Sequence, residues 1–163
     1  MKIISVPLAA AAAALAVAGC GGGNGASSAT TSSSIPTTAH AAKGASVDVA
    51  KSKLGTMLVD SSGRSLYLFQ ADKGTSSTCY GSCAAAWPPL TTHGAPKAGS
   101  SVKQSLLGTT KRKDGSTEVT YHGHPLYYYA GDSSPGATTG QGLDQFGAEW
   151  YVLAPSGNKI DKG

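Results

Sequence analysis

The chain has 163 residues, with 13 basic and 9 acidic side chains and a net charge of +4 at neutral pH. This excess is modest, and no stretch interleaves basic and aromatic residues as nucleic-acid-binding proteins do. Composition and charge therefore exclude a nucleic-acid-binding class, and the length suits one folded core.

The N-terminus is typical of a bacterial export signal. Lys2 supplies a positive charge, and the apolar, Ala-rich residues 3–17 are too few for a membrane span of about 20 residues. The run ends in residues 17–20, Val-Ala-Gly-Cys, which resemble the lipobox of bacterial lipoproteins. We predict a lipoprotein signal peptide over residues 1–19. We also predict that Cys20 is lipidated and that palmitate is among the attached acyl chains. An ordinary signal peptide with an incidental cysteine is the alternative.

The next segment, residues 20–45, is built from Gly, Ser, Thr and Ala. It has too few bulky apolar side chains to offset the entropy lost on ordering, which predicts a flexible tether. The folded domain should then span residues 46–163. The predicted location is the cell membrane, on its extracytoplasmic side, with the membrane as a partner through the lipid anchor.

Two parts of the folded domain match each other 60 residues apart, at residues 59–67 and 119–127. Such internal similarity predicts two tandem repeats, over about residues 46–100 and 101–163. The matching positions include Tyr67 and Tyr127, and Asp72 and Asp132 follow at the same spacing. Each copy ends in a Trp segment, at Trp87 and at Trp150.

The local patterns are those of short strands. Gly63, Gly123 and Asp114-Gly115 mark hairpin turns. In residues 66–69, Tyr67 and Phe69 alternate with two leucines, which predicts a strand with two apolar faces. Helix is limited to one turn near residues 82–87. We predict an all-β fold, in which two tandem repeats of short antiparallel strands pack as one sandwich or partly closed barrel.

The only basic cluster is Lys111-Arg112-Lys113, directly before Asp114-Gly115. Its position predicts a charged hairpin tip. Contact with an anionic polymer or a lipid headgroup is the alternative.

Cys79 and Cys83 form an even pair once Cys20 is assigned to lipid. A disulfide needs Cα atoms about 4.4–6.8 Å apart, so the chain between them must curl, which Gly81 eases. A structural disulfide is expected in an oxidising compartment. The alternative is redox or copper handling by this pair.

The repeated tyrosines and aspartates suit structural roles. Asp72 and Asp132 each come where a strand ends, so they can hold turns, and Tyr67 and Tyr127 can bury their rings. Because residues five apart in a strand are ~16 Å apart on opposite faces, the Tyr and Asp of one repeat need not cooperate. A pair of matching ligand sites is the alternative. The residues assigned to a possible ligand surface are Trp87, Trp150, His122 and His124.

Catalytic signatures are missing, so no catalytic residue, metal or cofactor is predicted. His122-Gly123-His124 falls on a turn, which favours surface histidines over a metal site. A hydrolase built from Asp72, Asp132 and His124 stays a distant alternative.

Residues 66–72 and 126–132 resemble the Tyr, four residues, Asp signature of a family of bacterial secreted-repeat lipoproteins. Residues 79–90 are similar to that family's disulfide-type loop, and residues 140–142 and 147–152 resemble its second-repeat ending. The resemblance implies export and a repeat architecture, and the family's role is unknown. We expect a membrane-anchored, non-catalytic binding or structural module of the envelope. Its further partner would be an envelope polymer or another envelope protein.

Overall fold

The computed structural model describes residues 44–161. The predicted signal peptide, the lipidation of Cys20 and nearly all of the predicted tether lie outside the described residues. Within residues 44–161, no helix has the length and apolar character needed to span a membrane.

Nine short strands, one helix and one 3-10 turn make up the described chain. The strands are β1 (Ser46–Ser52), β2 (Gly55–Asp60), β3 (Tyr67–Phe69), β4 (Lys97–Ala98), β5 (Leu107–Lys111), β6 (Thr117–Tyr121), β7 (His124–Pro125), β8 (Asp144–Gln145) and β9 (Ala148–Val152). The helix α1 is Ser82–Ala86, and the 3-10 turn is Gln104–Leu106. The prediction of an all-β fold with very little helix is confirmed.

The strands form three small sheets, in the orders β2-β1-β4, β3-β9-β8 and β5-β6-β7. All pairings are antiparallel except the short one between β1 and β4. In residues 44–161 the sheets do not close into a barrel. Isolated β-bridges, such as those from Tyr127 to Tyr67 and to Pro89, connect the sheets to one another.

Two cores lie on the two faces of the central strands. The predicted alternation is confirmed, because Tyr67 and Phe69 face an aromatic core while Leu66 and Leu68 face an aliphatic one. Residues 126–129 and 150–153 alternate between the cores in the same way. Each central strand is therefore covered on both faces, which explains its nearly continuous apolar sequence.

The two repeats are interleaved. The aromatic strand of repeat one, β3, pairs with β9 of repeat two, with Phe69 opposite Trp150. The matching strand of repeat two bonds to the Trp segment of repeat one, where the N–H of Tyr128 donates to Pro88 at 2.8 Å. Tyr67 and Tyr127 exchange both backbone hydrogen bonds, at 2.9 and 3.0 Å, on a pseudo-twofold axis. Neither repeat holds a complete set of strand partners by itself.

The structure corrects the alignment of the repeats before the first turn. The N–H of Leu66 donates to Leu58, whereas the N–H of Leu126 donates to Val119, so Leu58 and Val119 are equivalent. The cause is turn length, because His124 pairs with Tyr121 across two residues while Arg64 bonds to Asp60 across three. The offset is therefore one residue larger before the turn than after it. Glu118 consequently occupies the position of Met57.

The turn glycines behave as predicted. Gly63 and Gly123 have φ values of 80° and 84°, and Gly115 in the hairpin between β5 and β6 has 84°. Side chains other than Gly rarely adopt this region. The composition of the turns therefore follows from backbone geometry.

Candidate functional site

The repeated Tyr and Asp residues bond across the repeats. The hydroxyl of Tyr67 donates to Oδ2 of Asp132, and the hydroxyl of Tyr127 donates to Oδ2 of Asp72, each at 2.7 Å. Both tyrosines are fully buried. The sequence indicated only that the Tyr and Asp of one repeat need not cooperate, and it did not reveal that each bonds to the other repeat.

The second carboxylate oxygen of each Asp holds its own turn, as predicted. Oδ1 of Asp72 accepts from the N–H and hydroxyl of Thr78 at 2.7 and 2.8 Å. Oδ1 of Asp132 accepts from the N–H and hydroxyl of Thr139 at 2.9 and 2.6 Å. Each carboxylate thus fixes a loop and ties it to the opposite repeat.

The two tryptophans lie in the middle of the aromatic core. Their rings stack at a centroid distance of 4.0 Å. Phe69 stacks on Trp150 at 4.0 Å, and Tyr129 packs on Trp87 at 4.3 Å with the rings tilted by 31°. Trp87 and Trp150 have no exposed surface. Their assignment to a ligand surface is therefore wrong, because both rings are buried against each other, where they hold the two repeats together.

A buried ion pair lies beside the Tyr127–Asp72 bond. Nη1 of Arg112 donates to Oε2 of Glu118 at 2.7 Å, and both side chains are 0% exposed. The same guanidinium donates to Oγ of Ser77 at 2.7 Å and to the carbonyl of Cys79 at 2.6 Å. We call Asp72, Ser77, Arg112, Glu118 and Tyr127 the charged cluster. The basic run lies at the tip of the hairpin between β5 and β6, but the side chain of Arg112 is buried there.

A hydrogen-bond chain runs through the cluster. Oγ of Ser77 lies 2.7 Å from the hydroxyl of Tyr127. Since Tyr127 gives its one proton to Asp72, it accepts from Ser77, which in turn accepts from Arg112. Burial raises the pKa of Tyr127, and it also raises the pKa of Asp72. The tyrosine is therefore a proton donor throughout the physiological range.

Glu118 has one uncompensated atom. Its Oε1 is buried and has no hydrogen-bond partner within residues 44–161. Burial raises the pKa of Glu118 to about 7, although the Arg112 guanidinium opposes the shift. A carboxylate desolvated in this way is costly unless its partner stays in place.

Arg112 joins the Cys loop of repeat one to the hairpin of repeat two. Beyond its bonds to Ser77 and Cys79, its guanidinium lies 4.5 Å over the ring of Tyr80. The N–H of Lys113 donates to the hydroxyl of Tyr80 at 3.1 Å, and Asp114 accepts from Nε of Arg112 at 3.3 Å. The tip of the hairpin between β5 and β6 is thereby held against the loop.

Cys79 and Cys83 are joined by a disulfide, with Cα atoms 5.2 Å apart. Their exposures are only 0% and 6%. The bridge closes the loop whose Cys79 carbonyl receives Arg112. Burial of both sulfurs favours the structural interpretation over exchange with external thiols.

His122 and His124 in the second turn take no part in the hydrogen bonds described for the charged cluster. The rings of His122 and His124 have centroids 6.5 Å apart, and burial together with His122 lowers the pKa of His124. No set of three His, Cys, Asp or Glu side chains within residues 44–161 could hold a metal ion. Asp72 and His124 line a common cavity of about 320 Å³, which Asp132 does not line. The three residues of the hydrolase alternative are thus not all brought together.

Sequence reasoning missed Ser77, Arg112 and Glu118. The available signal was the mismatch between the repeats, because Glu118 stands where repeat one has Met57. The one-residue difference in turn length concealed it.

The fold and the crossed bonds define a two-repeat β module. The Tyr and Asp that the repeats share bind one repeat to the other. The chain belongs to a family of secreted repeats of unknown function, whose model matches residues 48–91 and 108–154. Membership in a secreted family indicates an extracellular or envelope location. The searches of curated proteins and of solved structures give no match to this chain.

Proposed function

We propose that this chain is a lipid-anchored, non-catalytic module on the extracytoplasmic side of the cell membrane. It would bind or organise a component of the envelope, either a polymer or another envelope protein. The lipobox-like residues 17–20 and the tether composition support the anchor, and membership in a secreted family supports the location.

One observation carries the non-catalytic part of the proposal. The side chains that the two repeats share bond to and pack against one another in the interior. Each Tyr hydroxyl is bonded to an Asp, each Asp holds a turn, and the two Trp rings stack. A repeated motif with no free reactive group serves as a scaffold, and the outer surface is left for recognition.

Anchoring is tested by exchanging Cys20 for Ser in cells grown with a palmitate analogue. The native chain should carry the label and fractionate with membranes, whereas Cys20→Ser should lose the label and be released. Equal labelling of both chains contradicts the anchor.

Binding is tested with the full chain immobilised and incubated with purified wall polymer and with solubilised envelope protein. Saturable capture from either fraction is expected. Absence of capture from both, or turnover of an envelope substrate by the chain, contradicts the proposal.

The same preparation tests the redox or copper alternative. A reduction potential of the Cys79–Cys83 bridge below about −300 mV is expected of a structural disulfide. A markedly higher potential, or tight Cu(I) binding by the reduced pair, favours that alternative instead.

A further inference from the structure

A groove of about 500 Å³ lies next to the hairpin that Arg112 holds. Its lining consists of residues 91–96, of Gly108, Thr109 and Lys111, and of residues 115–117. This volume falls within the range of about 300–1,000 Å³ that is usual for binding sites of small molecules. The groove is too large for a single inorganic anion. Its lining includes Lys111, which belongs to the basic cluster for which the sequence left contact with an anionic polymer as the alternative.

The chemistry of the lining is selective. Five lining residues carry hydroxyls, and the only ionisable side chains are those of His93 and Lys111, with no carboxylate among them. The lining also has no Phe, Tyr or Trp and no large aliphatic side chain. Such a surface suits a ligand that is rich in hydroxyls and negatively charged, and it disfavours the apolar tails of a lipid.

Both sides of the groove are fixed before any ligand arrives. On one side, Oγ1 of Thr92 accepts from the N–H of Ala45 at 3.0 Å and donates to the carbonyl of Gly94 at 2.7 Å. On the other side, buried Arg112 holds the hairpin tip to the Cys loop. A preformed site loses little entropy on binding, so modest polar contacts suffice.

We propose that this groove binds a segment of a sugar–phosphate polymer of the envelope, with Lys111 facing the phosphate and the hydroxyls of Thr91, Thr109 and Thr117 facing the sugar. This rests on the proposed function, and it names the ligand class and the surface that the module would use. Lys is a point charge that suits phosphate, and these three threonine hydroxyls can both donate and accept, whereas those of Thr92 and Ser116 are bonded within the chain.

Titration calorimetry of the full chain with a soluble glycerol phosphate oligomer tests the proposal. Lys111→Gln should weaken binding about fivefold, the effect of one surface cation near an anionic ligand. Thr109→Glu, an exposed change that puts a negative charge into the groove, should weaken binding more. Lys53→Gln is the matched control, because it removes the same charge from an exposed lysine outside the groove.

Binding of the oligomer, weakened by both groove variants and unchanged by Lys53→Gln, supports the site. Equal affinity for a neutral dextran, equal losses in Lys111→Gln and Lys53→Gln, or preference for anionic phospholipid vesicles over the oligomer overturns it. If the chain captures envelope components but not the oligomer, the ligand class is wrong while the proposed function stands. If it captures nothing, both are wrong.

Discussion

The two Tyr–Asp bonds are the same at their centres and different around them. Both have an O–O distance of 2.7 Å, and both join one repeat to the other. Around Tyr127 and Asp72 lie a buried ion pair and the disulfide loop. Around Tyr67, the further contact is a long bond of 3.4 Å from the N–H of Gly140.

This difference separates two tasks. The common part associates the repeats, since it recurs on both sides of the pseudo-twofold axis. The part found on one side only, the Arg112–Glu118 pair, fixes the hairpin that borders the groove. Burying an ion pair is seldom a gain in stability over apolar side chains. Its presence on one side is better explained by the position of the hairpin that it sets.

The largest effect should come from leaving one charge of the buried pair alone. We expect Glu118→Met to lower the free energy of unfolding by about 3–5 kcal/mol at pH 8, where the native carboxylate is ionised. The measurement is urea unfolding followed by tryptophan fluorescence.

The double variant Glu118→Met with Arg112→Leu is the control. It makes this side resemble repeat one, where Met57 occupies the equivalent position, and it should recover most of the loss. A single variant that costs less than about 1 kcal/mol would mean that Arg112 reaches solvent when unpaired.

The next effect tests the two Tyr–Asp bonds directly. Tyr67→Phe and Tyr127→Phe each remove a buried hydrogen bond to a carboxylate, which should cost about 1.5–3 kcal/mol. Tyr127→Phe should cost more, because it also deprives Ser77 of an acceptor. Thermal and urea unfolding of both variants decide the order. The reverse order would show that the surrounding cluster does not strengthen its bond.

A smaller effect is the pH dependence on the charged side. The pKa of Glu118 is raised to about 7, above its unfolded value of about 4.3, so the native state binds the extra proton between these values. Stability from this group is full below about pH 4.3 and is lost as the pH rises through about 7. The raised pKa of Asp72 acts in the same direction.

Unfolding at a series of pH values measures this slope. Glu118→Gln should flatten it, and Glu149→Gln, which removes an exposed carboxylate bonded to Gln70, should leave it unchanged. A native slope of opposite sign would show that Arg112 outweighs the effect of burial.

The sequence predicts those features that are set by neighbouring residues. Gly63, Gly123 and the disulfide follow from turn geometry and short spacing, and the two faces of residues 66–69 follow from alternation. The crossed Tyr–Asp bonds depend on how the repeats interleave, which no local pattern specifies. Glu118 in a strand is ordinarily a solvent-facing residue, and only the corrected alignment places it in the core.

The smallest effect concerns two hairpins of repeat two with the same turn geometry. His122-Gly123 and Phe146-Gly147 each have positive φ at both positions, with values of 51° and 60° for His122 and Phe146. Two-residue hairpins of this kind prefer Asn before Gly, and His tolerates the conformation far better than a bulky Phe does. Phe146 is also 47% exposed, so its removal costs little apolar burial.

Phe146→Asn should therefore raise the free energy of unfolding by about 1 kcal/mol, and His122→Asn should change it less. Urea unfolding of the two variants side by side makes the measurement. An equal gain in both would place the strain in the turn backbone itself, whereas a loss in Phe146→Asn would mean that the Phe ring contributes packing that outweighs its backbone cost.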